Sequence, residues 1–544
     1  MSSSDSSSAV IRTAAKHNAS RDALLIALQE QQQRNAELQA RVDQLDSNLR
    51  EKDQQLGEKD NTIETLQEQV RLLTHKRFAP SSEKSHPGQG ELFNEAEATA
   101  DGEPDADTGD IEDDESVAKP AKKKGRKGLN PNLPRERVDI RLSDEQRAGA
   151  SKTFFVKVKE ELDIEPAKAR VIEYWQEKAV FDQDGRQQII AAERTRHPLG
   201  KCIASTRLLA WIIVAKYADG LPLNRLESIL KRCGGEITRT AMANWVIRLA
   251  ETLQPLLDAL HHHQMQADYL QGDETRIQVH KEPGRNPTGD KWMWVVRGGP
   301  PDPGGGEQPV VRFHYDPTRS GAVAKHLLDG FTGSYFQSDG YSAYAKPCTN
   351  KKIAHLGCWD HARRKFKEAE QSEPKKKKVN TPSKATVALS MINRLYRIER
   401  EIEKYPSDEK YEARQQRSVP ALAKLKAWLD TNVGKVTPDG RTGIANHYTL
   451  RQWEKLTRYT EHGDLHISNC LAENAIRPFV VGRKAWLFAD TPKGAHASAC
   501  MYTLVETAKA NGIEPYVYLH KVIDNIATAR TAEEAAALLP WNVS

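Results

Sequence analysis

The stretch Ala267-Asp-Tyr-Leu-Gln-Gly-Asp-Glu-Thr-Arg-Ile-Gln-Val279 constrains this chain more than any other. Its apolar and β-branched residues predict a short strand, and Asp273 sits at the middle of it. A carboxylate carried into a buried strand costs free energy unless something cationic compensates it. A divalent metal is the simplest compensation, provided further carboxylates converge on the same place. The fold must therefore bring acids from elsewhere to this strand, or leave Asp273 at an edge facing water. Glu274 falls on the opposite side by the two-residue period of a strand and is the weaker candidate ligand.

The chain is long enough, at 544 residues, for three or four domains with a large core. Its 80 basic and 75 acidic residues leave a net charge of only +5, but the signs are strongly segregated. Six cysteines (202, 233, 348, 358, 470 and 500) are scattered without a Cys-x-x-Cys pair, which predicts a reduced, intracellular protein. No apolar run approaches the roughly 18 residues of a membrane span. The start, MSSSDSSSAVIR, lacks the apolar region of a secretory signal. A cytoplasmic location is expected.

The first third reads as arm and linker. After residues 1–19, Ser-rich and expected to be disordered, the apolar residues of 20–76 settle into a 3-4 spacing. Leu38, Val42, Leu45, Leu49, Leu56, Ile63, Leu66, Val70 and Leu73 hold one heptad register, interrupted at Lys52 and Lys59. Extended backwards, it puts Leu24 and Leu28 on the seam and Asn35 at a core position. A stripe two residues wide per heptad suits a coiled coil joining copies of the chain; a helix packed on its own protein is the alternative. Residues 77–128 follow as linker, expected to be disordered: 101–115 hold nine Asp or Glu, and Lys119–Lys127 reverses the sign. That basic run suits phosphates and, equally, the acidic block beside it. Residues 129–195 turn extended and β-branched (ERVDIRL, TFFVKVKEELDIEP, ARVIEYWQEKAVF), predicting a small strand-rich module. Lacking cysteine, it holds no zinc ribbon.

Residues 196–263 are helical. Ser205 caps a strongly apolar helix, a second runs from about Leu223 to Lys231, and Cys233-Gly-Gly-Glu-Ile-Thr238 supplies a glycine turn and a new N-cap. The long helix that begins at Arg239 completes a helix-turn-helix outline, with Arg239, Thr240, Asn244 and Arg248 where base and phosphate contacts are made. Any all-helical domain contains such pairs, so plain helix packing is the competing reading. The His261–His263 run suits a helix end or solvent better than a metal.

Beyond Asp273, the segments 291–297 and 310–315 are two more strands, Gly321–Leu328 a helix, and 333–344 a fourth strand ending at Asp339-Gly340. Three strands, a helix and a strand with an acid at its end describe an RNase-H-like sheet in which Asp273 and Asp339 are neighbours. A further strand, 353–359, leads to His361-Ala-Arg-Arg-Lys-Phe366 at a helix start; residues 264–370 form the first part of this core. The third acid lies far downstream, where 466–510 hold a helix with Glu473 and Arg477 at i, i+4 on one face. Two Asp and one Glu offer hard oxygen ligands for Mg²⁺ or Mn²⁺, and two such ions act together in displacements at phosphorus. Arg363, Arg364, Arg477, Arg483 and Lys484 suit the phosphates of a bound strand. Residues 371–465, opened by Lys375–Lys378, are a helical insertion: a decoration, or a platform for DNA or a partner. Residues 511–544 form a helical tail.

The ordered set QGDETRIQV, SDGYSAY, CWDHARRKF and NCLAENAIRPFVVGRKAWLFADTPKGAHASACMYTLVETAKANGIEPYVYL resembles the DDE transposases of the insertion sequence 66 family. The lead-in ASTRLLAWIIVAKYADGLPLNRLESILKRCGGEITRTAMANWV, the junction FAPSSEK and the terminal LLPWN are similar to that family too, so the resemblance covers most of the chain. It implies a multidomain α+β protein: an N-terminal coiled coil, a helical DNA-binding region, and an RNase-H-like α/β catalytic core interrupted by a helical insertion. It implies Asp273, Asp339 and Glu473 as the catalytic, metal-binding triad with two Mg²⁺ or Mn²⁺ ions. The implied reaction is cleavage at the terminal repeats of a mobile element, followed by strand transfer into target DNA, in a bacterial cytoplasm at the nucleoid. Homo-oligomers formed through the coiled coil, and accessory proteins of the same element, are the implied partners. Members usually carry a cysteine zinc module where residues 129–195 stand, so no zinc role carries over. The remaining pattern His355-Leu-Gly-Cys358-Trp-Asp-His361 is assigned to the core beside the active site. A metal nuclease without strand transfer, and a non-enzymatic DNA-binding descendant of a transposase, are the competing functions.

Overall fold

The computed structural model describes residues 5–78, 169–183, 186–193, 196–300, 307–373 and 382–543. Residues 79–168, with almost all of the expected linker and the first part of the strand-rich module, lie outside this set, as does the lysine run 375–378.

The chain opens with α1 (Asp5–Phe78), a helix of 74 residues. It takes in most of the Ser-rich start: once a helix is nucleated, each added residue contributes a hydrogen bond, and Ala-Val-Ile-Arg-Thr-Ala-Ala offers nothing to stop it. What is described of the strand-rich module is a hairpin, β1 (Lys178–Gln183) antiparallel to β2 (Arg186–Ala191). Then come α2 (Thr206–Ile213), α3 (Leu223–Arg232), α4 (Arg239–Thr252) and α5 (Gln254–Gln264). The expected caps are in place, with Ser205 accepting from Leu208 N and Thr238 from Ala241 N. The strands β3 (Tyr269–Ile277), β4 (Lys291–Gly298) and β5 (Val310–Asp316) precede α6 (Gly321–Leu327), β6 (Tyr335–Gln337), α7 (Ala345–Lys351) and β7 (Ala354–Leu356). All five form one mixed sheet in the order β5-β4-β3-β6-β7, antiparallel between β4 and β5 and parallel from β3 through β6 to β7. Helix α8 (Trp359–Ser372) leads into the segment that holds α9 (Lys384–Glu401), α10 (Ser407–Ala413), α11 (Val419–Val433), α12 (Arg441–Arg451) and α13 (Trp453–Thr457). The chain ends with α14 (Cys470–Trp486), α15 (Pro492–Ala510), α16 (Pro515–Asn525) and two short helices.

Two compact units interleave along this order. One holds α1, Asp268–Asp273 and Ser320–Asn474; the other holds the described part of Asp107–Ala267, Glu274–Arg319 and Ala475–Ser544. The boundary therefore falls inside β3, directly after Asp273.

In the first unit the insertion is no loose decoration. Trp359, Phe366, Leu389, Ile392, Tyr396, Leu425 and Tyr459 pack with Leu356 of β7 into one apolar cluster. Arg414, 3% exposed, is buried beside it. Its guanidinium pairs with Glu399 at 2.6 Å and donates to the carbonyls of Tyr459, His462, Gly463 and Leu465. One fork thus gathers the loop that leads to α14. The arm meets the same unit at its C-terminal end, where Leu72 is buried. Glu68 accepts from the N–H of Arg441 at 2.8 Å, and Arg71 donates to the carbonyl of Ser372. An acid at the start of α12 and a base at the end of α8 each match the sign of the helix dipole there. The heptad residues Leu38 through Leu73 lie on the other side, 49–66% exposed. The arm is thus docked on its own chain by one face and leaves the stripe uncovered.

In the second unit β5 is the edge of the sheet. Its outward N–H groups at Val311 and Phe313 are taken up by the hydroxyls of Thr507 and Thr503 on α15, at 3.0 and 2.9 Å. Phe313, Phe479, Tyr217 and Tyr502 cluster around them in edge-on and tilted ring pairs. Glu274 has a side chain only 1% exposed and pairs with Arg319, whose guanidinium also lies over the Trp292 ring. The deeply buried carboxylate of this strand is therefore Glu274, compensated by an arginine, while Asp273 is part-buried. The costly burial argued for Asp273 belongs to its neighbour, because the alternation of the strand turns Glu274 inward.

Candidate active site

Two glutamines, which the motif reading did not single out, organise the first unit. Gln271 on β3 and Gln337 on β6 are direct partners in the parallel ladder, and both are buried. Gln271 Nε2 donates to Gln337 Oε1 at 3.1 Å. Gln337 Nε2 donates to the carbonyls of Gly357 and His466, at 2.8 and 2.9 Å. Gln271 Oε1 accepts the N–H of Ala472 at 3.2 Å, and Tyr269 joins through its hydroxyl. Buried amides of this kind persist only when nearly every donor and acceptor is met, so together they fix four chain segments against one another. Three of those segments carry the acids. Asp273 and Asp339 each stand two residues beyond a glutamine, and Glu473 follows Ala472.

Asp339 thus lies just past the carboxyl end of β6, where α/β sheets hold ligands, while Asp273 lies within β3 and Glu473 in the first turn of α14. Asp339 and Glu473 are part-buried, as Asp273 is. Asp339 Oδ1 accepts from Tyr341 N at 2.8 Å, and its carbonyl accepts from Tyr448 of α12 at 2.9 Å. Gly272 shows how tightly the strand is held before Asp273, since a Cβ there would lie 2.6 Å from the Phe336 ring. The donor set, three carboxylates within reach of solvent in one unit, fits a hard divalent cation. Among the described residues, however, the metal-ligating atoms that lie within 4.8 Å of one another are those of Cys358, His361 and Glu473.

Cys358 is the N-cap residue of α8, makes no side-chain capping bond, and is fully buried. Burial, with the charges of Asp360 and Glu473 beside it, pushes its thiol well above the usual range. His361 Nδ1 lies 3.5 Å from Glu473 Oε1. Burial, then the Arg364 charge, lowers the imidazole to about 4 against the opposing pull of Asp339. It is therefore neutral at pH 7, and its contact with Glu473 is no ion pair. His355, the third member of the sequence pattern, is not in this group: it is buried, and its Nε2 is 2.8 Å from Ser338 Oγ.

The basic residues divide. Arg364 is 56% exposed and its guanidinium lies 3.9 Å from Glu473. Arg363, expected to meet phosphate, is instead 5% exposed and donates to Asn393 Oδ1 at 2.8 Å, since α8 turns it toward α9. In the second unit Arg239, Asn244 and Arg248 are exposed on α4, and Arg248 also donates to the carbonyl of Leu199. Of the bases on α14, Lys484 is exposed, Arg477 is part-buried, and Arg483 donates to Thr275 Oγ1 at 3.3 Å. The sequence did carry a signal for the missed glutamines. Gln271-Gly-Asp273 and Gln337-Ser-Asp339 repeat one Gln-x-Asp pattern, and residues two apart on a strand share a face.

The family described as Transposase IS66 family matches residues 201–497, more than half of the chain. The chain belongs to the IS66 transposase family. The IS66 C-terminal element matches residues 503–541, and the family described as Transposase C of IS166 homeodomain matches residues 65–138, mostly outside the described residues. Three proteins of Sinorhizobium fredii (strain NBRC 101917 / NGR234) are similar along most of their length, each bearing the name of an uncharacterized protein. The one called y4qI is 34% identical over 77% of this chain and 77% of its own. Those called y4jD and y4hP are 29% and 28% identical, over 83% and 71% of this chain and 88% and 70% of theirs. Membership supports a transposase function, and with it a DNA-cleaving enzyme. No described helix is long and apolar enough to cross a membrane.

Proposed function

We propose that this IS66 transposase cleaves DNA at the ends of its insertion sequence and transfers the freed strand to target DNA, with Asp273, Asp339 and Glu473 as its catalytic acids on an RNase-H-like core. The observation that carries the reading is the parallel register of Gln271 with Gln337, each two residues before an acid, with Gln271 also holding the N–H of Ala472 beside Glu473. Asp273 and Asp339 would hold two Mg²⁺ or Mn²⁺ ions, with Glu473 completing one ligand set. When bound, such ions supply Lewis acidity for in-line displacement at phosphorus. The chain's own groups do the rest. The paired glutamines hold the segments bearing the three acids in fixed register. Arg364 offers a cation at the rim of the site for a strand's phosphate. Hydrolysis at the element end frees a 3′-OH, and that hydroxyl attacks a phosphodiester of the target.

Arg239, Asn244 and Arg248, on a helix-turn-helix-like region spanning 196–263, would meet the terminal repeats, and Arg477, Arg483 and Lys484 the phosphate backbone of a bound strand. Two ends must be held at once, which gives the uncovered stripe of the 20–76 arm its use in a homo-oligomer. Accessory proteins of the same element would complete the machinery, in a bacterial cytoplasm. The test uses pre-cut element ends and a plasmid target. Joined product that disappears with Asp273→Asn is the expected result. Hydrolysis without joined product would show a plain nuclease, and unchanged joining by the variant would remove Asp273 from the mechanism.

A further inference from the structure

We propose that Cys358, His361 and Glu473 form a binding site for a thiophilic divalent ion such as Zn²⁺, distinct in chemistry from the hard-cation role proposed for the three acids. The three ligating atoms, Sγ, an imidazole nitrogen and a carboxylate oxygen, already lie within 4.8 Å of one another, with Nδ1 and Oε1 3.5 Å apart. Zinc bonds of about 2.0–2.3 Å to sulfur, nitrogen and oxygen put neighbouring ligands at nearly such separations, so closure onto an ion needs side-chain adjustments rather than a refolded loop. The ligand types are also right. Mg²⁺ avoids thiolate and imidazole, whereas Zn²⁺, Co²⁺ and Cd²⁺ take both, and three protein ligands with a water in the fourth position is a recurrent zinc arrangement.

The surroundings support the assignment. His361 Nδ1 is buried with no hydrogen-bond partner among the described residues, and an imidazole nitrogen is a ligand that zinc takes. The His361 side chain and that of Glu473 are each 24% exposed, which gives an ion and a water a way in, while Cys358 lies beneath them. Glu473 would be common to this site and to the hard-cation set, so a bound zinc would compete for the carboxylate that the cleavage reaction is proposed to need.

The test titrates the full-length chain, under a non-thiol reductant and without DNA, with Co²⁺ alone and then with Zn²⁺. A near-ultraviolet sulfur-to-cobalt charge-transfer band, saturating at one ion per chain and displaced by Zn²⁺, is expected. C358S keeps a good N-cap and the side-chain volume; it should lose the band, and H361A should weaken Co²⁺ at least tenfold. Thermal melts of each variant verify that it is folded. No band in the wild-type chain, or a band of full strength in C358S, would overturn the proposal. Because no DNA is present, that failure leaves the transposase reading standing. Conversely, a band in an inactive Asp339→Asn chain would leave this site standing.

Discussion

Replacing Gln337 by leucine should damage the site more than any single acid-to-amide change damages the fold. The side chain is fully buried, and leucine is close to it in volume, so the cost is one of polar partners and not of space. The carbonyls of Gly357 and His466 lose a donor, and the Gln271 amide loses its acceptor. Each buried polar group left short costs about 1–3 kcal/mol, and since some keep a second partner the total should be about 3–5 kcal/mol. The double change Gln271→Leu with Gln337→Leu should cost less than the sum of the two singles, because each removes a group that the other orphans. Denaturant unfolding gives the stabilities, and hydrogen exchange over residues 335–357 and 464–473 locates the loosening. The expected picture is lost protection in both stretches and weakened DNA cleavage. A loss under about 1 kcal/mol with protection unchanged would refute the view that this amide pair holds the site together.

Three further outcomes follow from the same physics. Arg414→Ala leaves the part-buried Glu399 without its partner and removes a donor from four carbonyls, and should cost about 3–5 kcal/mol in a denaturant titration. Arg414→Lys should recover only part of it, since a point charge cannot reproduce the fork. Leu45→Glu with Leu56→Glu should weaken self-association by light scattering at least tenfold while leaving the melting temperature of the rest unchanged, because both side chains are more than half exposed in the single chain. His355 is held neutral by burial and by the charges of Lys455 and Arg458, its pKa pushed down from 6.5 to about 3. The unfolded chain then binds the extra proton between those values, so stability should fall as pH drops from 6.5 toward 3, by about 5 kcal/mol at full titration. His355→Gln should flatten that stretch of the stability–pH curve, and parallel curves for variant and wild type would contradict the assignment.

Local chemistry made much of this structure legible. The strands at 291–297 and 310–315, the caps at Ser205 and Thr238, the helical insertion and the exposed stripe of the arm all follow from residue periodicity and capping, which depend on near neighbours. What the sequence obscured depends on distant ones. Asp273 and Glu274 are adjacent carboxylates, and only Arg319, 45 positions on, makes Glu274 the one that can be buried. Arg363 and Arg364 look alike as a pair, but the packing of α8 against α9 decides which of them faces Asn393. The Gln-x-Asp repeat was present, yet its meaning needs a parallel ladder whose register no local pattern states. Cys358 and His361 stand in one local pattern with His355, which the sequence assigns to the core. The partner that actually reaches them is Glu473, more than a hundred residues away, brought there by the loop that Arg414 gathers.

The central claim is that Asp273, Asp339 and Glu473 act as one cleavage site. Its most direct test is cleavage of the element's own end DNA by the full-length chain in Mg²⁺ and in Mn²⁺, for wild type, Asp273→Asn, Asp339→Asn and Glu473→Gln, with DNA binding measured in parallel. The account predicts that each variant binds the end DNA as the wild type does and cleaves it at least a thousandfold more slowly, a loss on the order of 4 kcal/mol in transition-state stabilisation. A variant that retains wild-type cleavage would contradict it.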